Sequence, residues 1–205
     1  TRDMTTRPAL AEKPAIIDRA SMHPSALLIR PSSPADLPAV TAIYAHHVTH
    51  GKGSFELEAP DLGEMSRRRS DVLAKGLPHL VASRGAEVLG FAYAGAFRPR
   101  PAFRFMAEDS IYIHPDHTGQ GLGRALLAEL LRHCEALGIR QMLAVIGDSA
   151  NAGSIGLHRS LGFEHTGILK ASGWKHSQWL DTVFMQKALG TGDSSPASEL
   201  TPPNR

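Results

Sequence analysis

The sequence predicts an α/β protein in which a single mixed β-sheet is flanked by helices. Segments of period two and period 3.6 interleave along most of the 205 residues, the pattern of a layered sheet-and-helix domain. Residues 111–127 run from a β-branched strand through a glycine-rich turn into an amphipathic helix. The length suits one domain with its own core rather than two. That domain is assigned to residues 26–190. Flexible tails are expected over 1–25, which carries Pro8, Pro14 and Pro24 without a sustained period, and over 191–205, which is rich in Gly, Ser and Pro.

The first strand is expected at Leu27-Leu28-Ile29-Arg30. Ser33-Pro34-Ala35-Asp36 then reads as a helix start: a serine cap, proline at the first helical position and an acid in the first turn. Leu37, Val40, Tyr44 and Val48 continue it as an apolar stripe. A second helix is expected over 61–75, with Leu62, Met65, Val72 and Leu73 facing inward and Gly76 and Pro78 ending it. The period then changes. Residues 79–83 and 88–97 form two strands joined at Gly85-Ala86, and 107–113 form a third after a Pro-punctuated loop. Residues 121–137 make a long helix with Gly138 just beyond it. Strand 141–146, helix 151–161 and strands 163–169 and 179–188 complete the order β, α, α, β, β, β, α, β, α, β, β.

Lys and Arg total 22 against 20 Asp and Glu, scattered rather than gathered into a basic stripe, so nucleic acid is not an expected partner. No stretch approaches the roughly 20 apolar residues that span a bilayer, so no membrane partner is expected. The first residues lack the continuous apolar run of a secretory signal. The one cysteine, Cys134, rules out an internal disulfide framework and suits a reducing, cytoplasmic compartment. It falls in the stripe Leu127, Leu130, Leu131, Cys134, Leu137 and reads as a small core residue.

The most informative segment is the glycine turn, Gly119-Gln120-Gly121-Leu122-Gly123-Arg124. A strand feeding a glycine-rich turn at a helix start gathers backbone N–H groups at the positive end of the helix dipole, a cradle for phosphate. Arg124 adds a positive charge. A dinucleotide fingerprint would need a small residue where Leu126 stands, and a P-loop needs Gly-Lys-Ser/Thr, which is absent. Taken alone, the turn is equally compatible with a β-to-α connection that binds nothing.

The turn resembles the acyl-CoA loop, Gln/Arg-x-x-Gly-x-Gly/Ala, of the Gcn5-related N-acetyltransferases, with Thr118 where that family has Gln or Arg. Residues 151–163, from Asn151 and Ser154 to Leu161-Gly162-Phe163, resemble the family's Asn-x-x-(Ser/Ala) helix and its closing turn. Ser54-Phe55-Glu56, residues 97–104, Glu108-Asp109-Ser110-Ile111-Tyr112-Ile113, Leu157-His158-Arg159, Gly173-Trp174-Lys175 and Trp179-Leu180-Asp181 are similar to the phosphinothricin and methionine sulfoximine acetyltransferase group. The likeness covers roughly residues 29–189.

This resemblance implies an acetyl-CoA-dependent N-acetyltransferase acting on a small amine, with no metal. It implies that the backbone at Ile111, Tyr112 and Ile113 pairs with the pantetheine arm and that the Ile113 N–H receives the thioester carbonyl. Gly119, Gln120, Gly121, Leu122, Gly123 and Arg124, with Asn151 and Ser154, are expected to hold the rest of the cofactor. Glu108 is assigned as general base; without the likeness it reads as a solvated strand carboxylate. His158 stands where many relatives carry a tyrosine acid, and an imidazole can donate or accept, so both directions stay open. Arg98 and Arg100, ahead of Arg104, are expected to bind the acceptor's carboxylate by their planar forks. Asp109 and Ser110 are expected to line the acceptor pocket, and Phe103 stands where relatives often have tyrosine. Dimers are common in the family, so a two-fold homodimer is the expected assembly.

His46 and His50 share a helix face with no convincingly spaced third ligand, and with His47 they read as an exposed face rather than a metal site. Arg67-Arg68-Arg69 reads the same way. Two other functions stay open: a protein or peptide N-acetyltransferase on the same fold, and a non-catalytic acetyl-CoA-binding regulatory domain.

Overall fold

The computed structural model describes residues 26–197. Ser33 opens the first helix through a reciprocal capping box with Asp36, and a single 3-10 turn leads into α1 (Leu37–His50). The other elements are β1 (Leu27–Pro31), α2 (Leu62–Ala74), β2 (His79–Arg84), β3 (Glu87–Ala96), β4 (Met106–Ile113), α3 (Leu122–Ala136), β5 (Gln141–Gly147), α4 (Ala152–Ser160), β6 (Glu164–Lys175) and β7 (Gln178–Ala188). The order is the one expected. The strands form one seven-stranded sheet in the order β1-β2-β3-β4-β5-β7-β6, and β4–β5 is its parallel pair.

Helices cover both faces of the sheet. Val40, Ile43, Tyr44 and Val48 of α1 and Met65 of α2 pack on Val81, Val88 and Phe91. Leu126, Leu127, Leu130, Leu131 and Cys134 of α3 pack on Ala92, Ala94, Ala107, Met142 and Ile146. Burying each α3 leucine is worth about 1.5–3 kcal/mol, which makes this face the main support of the sheet. The alternation from Phe91 to Ala94 of β3, with Phe91 to one core and Ala92 and Ala94 to the other, is the period-two pattern of a doubly covered strand.

Three details depart from expectation. Leu62 and Leu73 of α2 lie on its outer side, 48% and 42% exposed, and Met65 is the residue that α2 buries. β6 continues past Leu169 to Lys175 across an irregularity in register. The two residues joining it to β7, His176 and Ser177, both have positive φ, the mirror-image turn that suits a twisted hairpin. Residues 191–197, expected within a flexible tail, form turns, and the Arg140 guanidinium donates to the Ser195 hydroxyl at 3.0 Å. The N-terminal tail expected over 1–25 lies outside the described residues.

Candidate active site

β4 pairs with β5 only from Met106–Gln141 to Asp109–Ala144, but with β3 as far as Ile113. Beyond Asp109 the two parallel strands therefore part. Residues 110–113 on one side and 145–147 on the other border a cleft of about 1240 Å³. In an antiparallel ladder, opposed residues alternate between exchanging both hydrogen bonds and exchanging none. The His114 N–H donates to the opposed Leu89 carbonyl at 2.8 Å. Counting back along the register, Tyr112 and Ser110 bond to β3, while Ile111 and Ile113 turn their N–H and C=O groups toward the gap. The Ile113 carbonyl is met there by His47 Nε2 at 2.7 Å; a carbonyl only accepts, so Nε2 carries the proton. Burial lowers the His47 pKa and keeps the ring neutral.

Successive β4 side chains take opposite faces. Tyr112 stacks on Phe91 in the α1/α2 layer, so Glu108 and Ser110 belong to that side. Ala107 and Ile111 join the α3/α4 core, and Asp109 goes with them. The Glu108 pKa is raised, chiefly by burial and then by the neighbouring Asp109 charge. The result is a carboxylate more basic than usual on the cleft wall.

On the other face, Asp109 is 6% exposed. Its Oδ2 lies 2.9 Å from His158 Nε2, and His158 Nδ1 lies 2.7 Å from the Ser154 carbonyl. Both ring nitrogens thus meet acceptors, an arrangement that the doubly protonated imidazolium satisfies. Burial opposes that charge, but the hydrogen bond and charge of Asp109 outweigh it and raise the ring's pKa.

At the far end of the gap, Gly119 and Gly121 adopt φ of 74° and 78°, with open space where a Cβ would stand. α3 starts just beyond with no side-chain cap, leaving its first-turn N–H groups for an anion. This end of the cleft fits the pyrophosphate of a coenzyme A tail.

A strap, residues 51–56, also lines the cleft. The buried Lys175 Nζ donates to the Ser54 carbonyl at 2.6 Å, and His176 Nε2 to the Gly51 carbonyl at 3.2 Å. Lys52 pairs with Asp148 at 3.5 Å, and the Phe55 ring occupies the space where a Gly173 Cβ would project. Glu56 accepts from the Tyr44 hydroxyl at 2.7 Å and from Arg68 at 2.6 Å. Burial pushes the Glu56 pKa up, but these two donors prevail and hold it below the ordinary value.

Glu108, Asp109, Ser110, Ile111, Tyr112, Ile113, Gly119, Gly121, Leu122, Gly123, Arg124, Asn151, Ser154 and His158 all border the cleft. The structure adds contacts to several of these residues and places others outside the cleft. Gln120 is exposed and does not line the cleft. Arg124 borders it, yet its guanidinium is tied to the Ser160 carbonyl and hydroxyl at 2.9 and 2.7 Å. Asn151 caps α4, its Oδ1 accepting the Ser154 N–H at 3.1 Å. Asp109 borders the cleft and is at the same time the buried partner of His158. Arg98 and Arg100 are absent from the cleft wall of this chain; Arg98 lies over the Phe97 ring. The arginine run is not a solvated face: Arg67 is exposed, but Arg68 binds Glu56 and Glu64, and Arg69 binds Ser32. His47 leaves the expected exposed histidine face for the cleft, and its i,i+3 spacing from Tyr44 is the sequence signal that marks it. Among the described residues, no three His, Cys, Asp or Glu side chains form a group that could hold a metal ion.

Parallel strands that part beside an open glycine cradle, with a basic carboxylate on the cleft wall, define an acyl-CoA-dependent acyltransferase. The chain belongs to the acetyltransferase (GNAT) family, matching it over residues 43–163. It is 53% identical over 160 residues to a phosphinothricin N-acetyltransferase of Alcaligenes faecalis, covering 78% of this chain and 81% of that one. It is 41% identical over 169 residues to an L-methionine sulfoximine/L-methionine sulfone acetyltransferase of Pseudomonas aeruginosa, covering 82% and 98%. The crystal structure of a GNAT phosphinothricin acetyltransferase from Sinorhizobium meliloti in complex with acetyl-CoA superimposes with a TM-score of 0.82 at 47% identity, covering 84% of this chain and 94% of that one.

Proposed function

We propose that this protein transfers the acetyl group of acetyl-CoA to the amine of a small amino-acid-like acceptor of the methionine sulfoximine, methionine sulfone or phosphinothricin type. The observation that carries this reading is the parted β4–β5 pair with the basic Glu108 on its wall, in a chain whose relatives are named for those acceptors. Acetyl-CoA, as substrate, supplies the activated thioester. The amides around Gly119, Gly121, Leu122 and Gly123 hold its pyrophosphate, and Arg124 adds charge at the same end. The outward groups of Ile111 and Ile113 pair with the pantetheine arm, and Asn151 and Ser154 form the facing wall. The Ile113 N–H receives the charge that develops on the thioester oxygen, a contact worth about 3 kcal/mol in comparable sites. Glu108 takes the proton that the acceptor ammonium must lose before it can attack, directly or through one water, and Ser110 borders the acceptor on the same face.

Purified protein mixed with acetyl-CoA and a panel of free amino acids, their sulfoximine, sulfone and phosphinate analogues, and peptides should release thiol with the small acceptors. Turnover only on peptides would shift the reading to a peptide acetyltransferase. Coenzyme A binding without turnover on any amine would reduce the protein to a binding domain. The same proposal places the enzyme in the cytoplasm as a homodimer: Cys134 is a free, buried thiol, and the hairpin at the sheet edge exposes Ile168, Leu169, Trp174 and Trp179. Sedimentation at twice the chain mass checks the pairing.

A further inference from the structure

We propose that Asp109, His158 and Ser154 form a proton relay to the departing thiolate, in which Asp109 is the positioning residue that keeps the His158 Nδ1–H directed at Ser154. The inference rests on the acetyl-transfer reading above. Its geometry does not. The Asp109 and His158 side chains are each 2% exposed and 2.9 Å apart, at the last position where β4 still pairs with β5. Asp109 Oδ1 is buried with no partner, so every side-chain hydrogen bond this carboxylate makes goes to His158. A buried carboxylate is costly unless its partner needs it. His158 Nδ1 is shared between two atoms of Ser154, the carbonyl at 2.7 Å and the hydroxyl at 3.4 Å. The ring has almost no surface of its own, whereas Ser154 is half-buried and borders the cleft. The hydroxyl is therefore the outlet through which the buried charge reaches a ligand.

The division of faces sets the direction. Glu108 lies on the α1/α2 side of β4 and takes protons from the amine; the relay lies on the α3/α4 side and gives one to sulfur. As the C–S bond breaks, its electron pair goes to sulfur. The Ser154 Oγ–H proton moves to sulfur to form the thiol, and the His158 Nδ1–H proton moves to Ser154 Oγ. The ring is left neutral, with Nε2–H on Asp109. The two protons that nitrogen loses, one before attack and one as the amide forms, pass in turn through Glu108 to solvent, and solvent returns one to the ring. Few other charges face His158. From β4 there is Asp109, and beside Asp109 on α3 stands Cys134, whose thiol burial pushes up to about 12 and so keeps neutral. Phe163 presents its ring edge-on to His158 at 5.0 Å, and Arg159, the next residue on α4, is exposed.

The test combines ring titration with kinetics on the full chain. In 15N NMR spectra the wild-type His158 ring should titrate above an ordinary histidine, and Asp109→Asn should lower its midpoint by about one unit or more. Ser154→Ala should leave that midpoint in place, since the Ser154 backbone carbonyl that accepts from Nδ1 remains. Both variants should lose about 10- to 100-fold in kcat, with KM for acetyl-CoA changing less than about twofold. Asp109→Asn should move the alkaline limb of the kcat profile to lower pH, and Asp109→Glu should recover part of the rate. A purely structural tie would lower Tm and the ring midpoint in Asp109→Asn while leaving the alkaline limb of kcat unmoved, and that result overturns the relay. Wild-type turnover with both variants at wild-type kcat overturns the relay alone. Absence of wild-type turnover with every acceptor overturns the acetyl-transfer reading and the relay together.

Discussion

Replacing Gly147 by alanine should displace the strap of residues 51–56 that lines the cleft. Gly147 ends β5, and a Cβ there would overlap the Lys52 carbonyl oxygen and come within 3.1 Å of the Gly53 oxygen. Ordinary contact is about 3.5 Å, so the strap must retreat by about an ångström. Both obstacles are backbone atoms, and the strap is pinned by Lys175 at Ser54, His176 at Gly51 and Lys52 at Asp148, so no side-chain rotation relieves the clash. Overpacking of this kind costs about 1–3 kcal/mol. For a chain of this length that lowers Tm by about 2–12 °C. Because Ser54, Phe55 and Glu56 move with the strap, kcat/KM for the acceptor should fall by up to about 100-fold. Differential scanning calorimetry and steady-state kinetics with varied acceptor read the two effects. A Tm and an acceptor kcat/KM both equal to wild type would show that the strap yields freely and carries no part of the site.

Glu108→Gln should lower kcat by about 10²- to 10⁴-fold with acetyl-CoA affinity by calorimetry nearly unchanged; equal activity would remove Glu108 from the mechanism. Because burial raises the Glu108 pKa and a base works only when deprotonated, wild-type kcat/KM should fall off on the acid side above the ordinary carboxylate range, and the Gln variant should lose that limb. Arg30, with help from the Ser33 N–H and hydroxyl, holds the Asp36 carboxyl well below its ordinary pKa. Its contribution is therefore full above the unfolded value of about 3.9 and is lost as pH falls through the lower folded one. Asp36→Asn should cost about 1–3 kcal/mol at pH 7 in urea titrations and flatten the loss of stability below pH 4; parallel curves for the two proteins would contradict this. Cys134, fully buried with its thiol pushed up to about 12, should resist thiol reagents in the native state and react once unfolded, and rapid native labelling at pH 8 would refute the packing described.

The sequence alone determined the order of the elements and most of their places along the chain. Helix and strand periods, the cap at Ser33 and the glycine turn before α3 are local signals, and local hydrogen bonding answers to them. The glycine turn that borders the cleft was legible for the same reason, since its open backbone geometry is dictated by Gly119 and Gly121. Only the tertiary structure decided how these pieces face one another. Period two says that Glu108 and Asp109 part company but not which of them meets α4; the 2.9 Å contact of Asp109 with His158 decides it. His47 reaches the cleft and Lys175 reaches the strap through partners 66 and 121 residues away, and the Arg68 guanidinium folds onto Glu56 rather than into solvent. The gap between β4 and β5 is a property of two strands at once. A sequence records the pattern of each strand, whereas the point where their hydrogen bonds stop is set by what packs on both faces of the sheet.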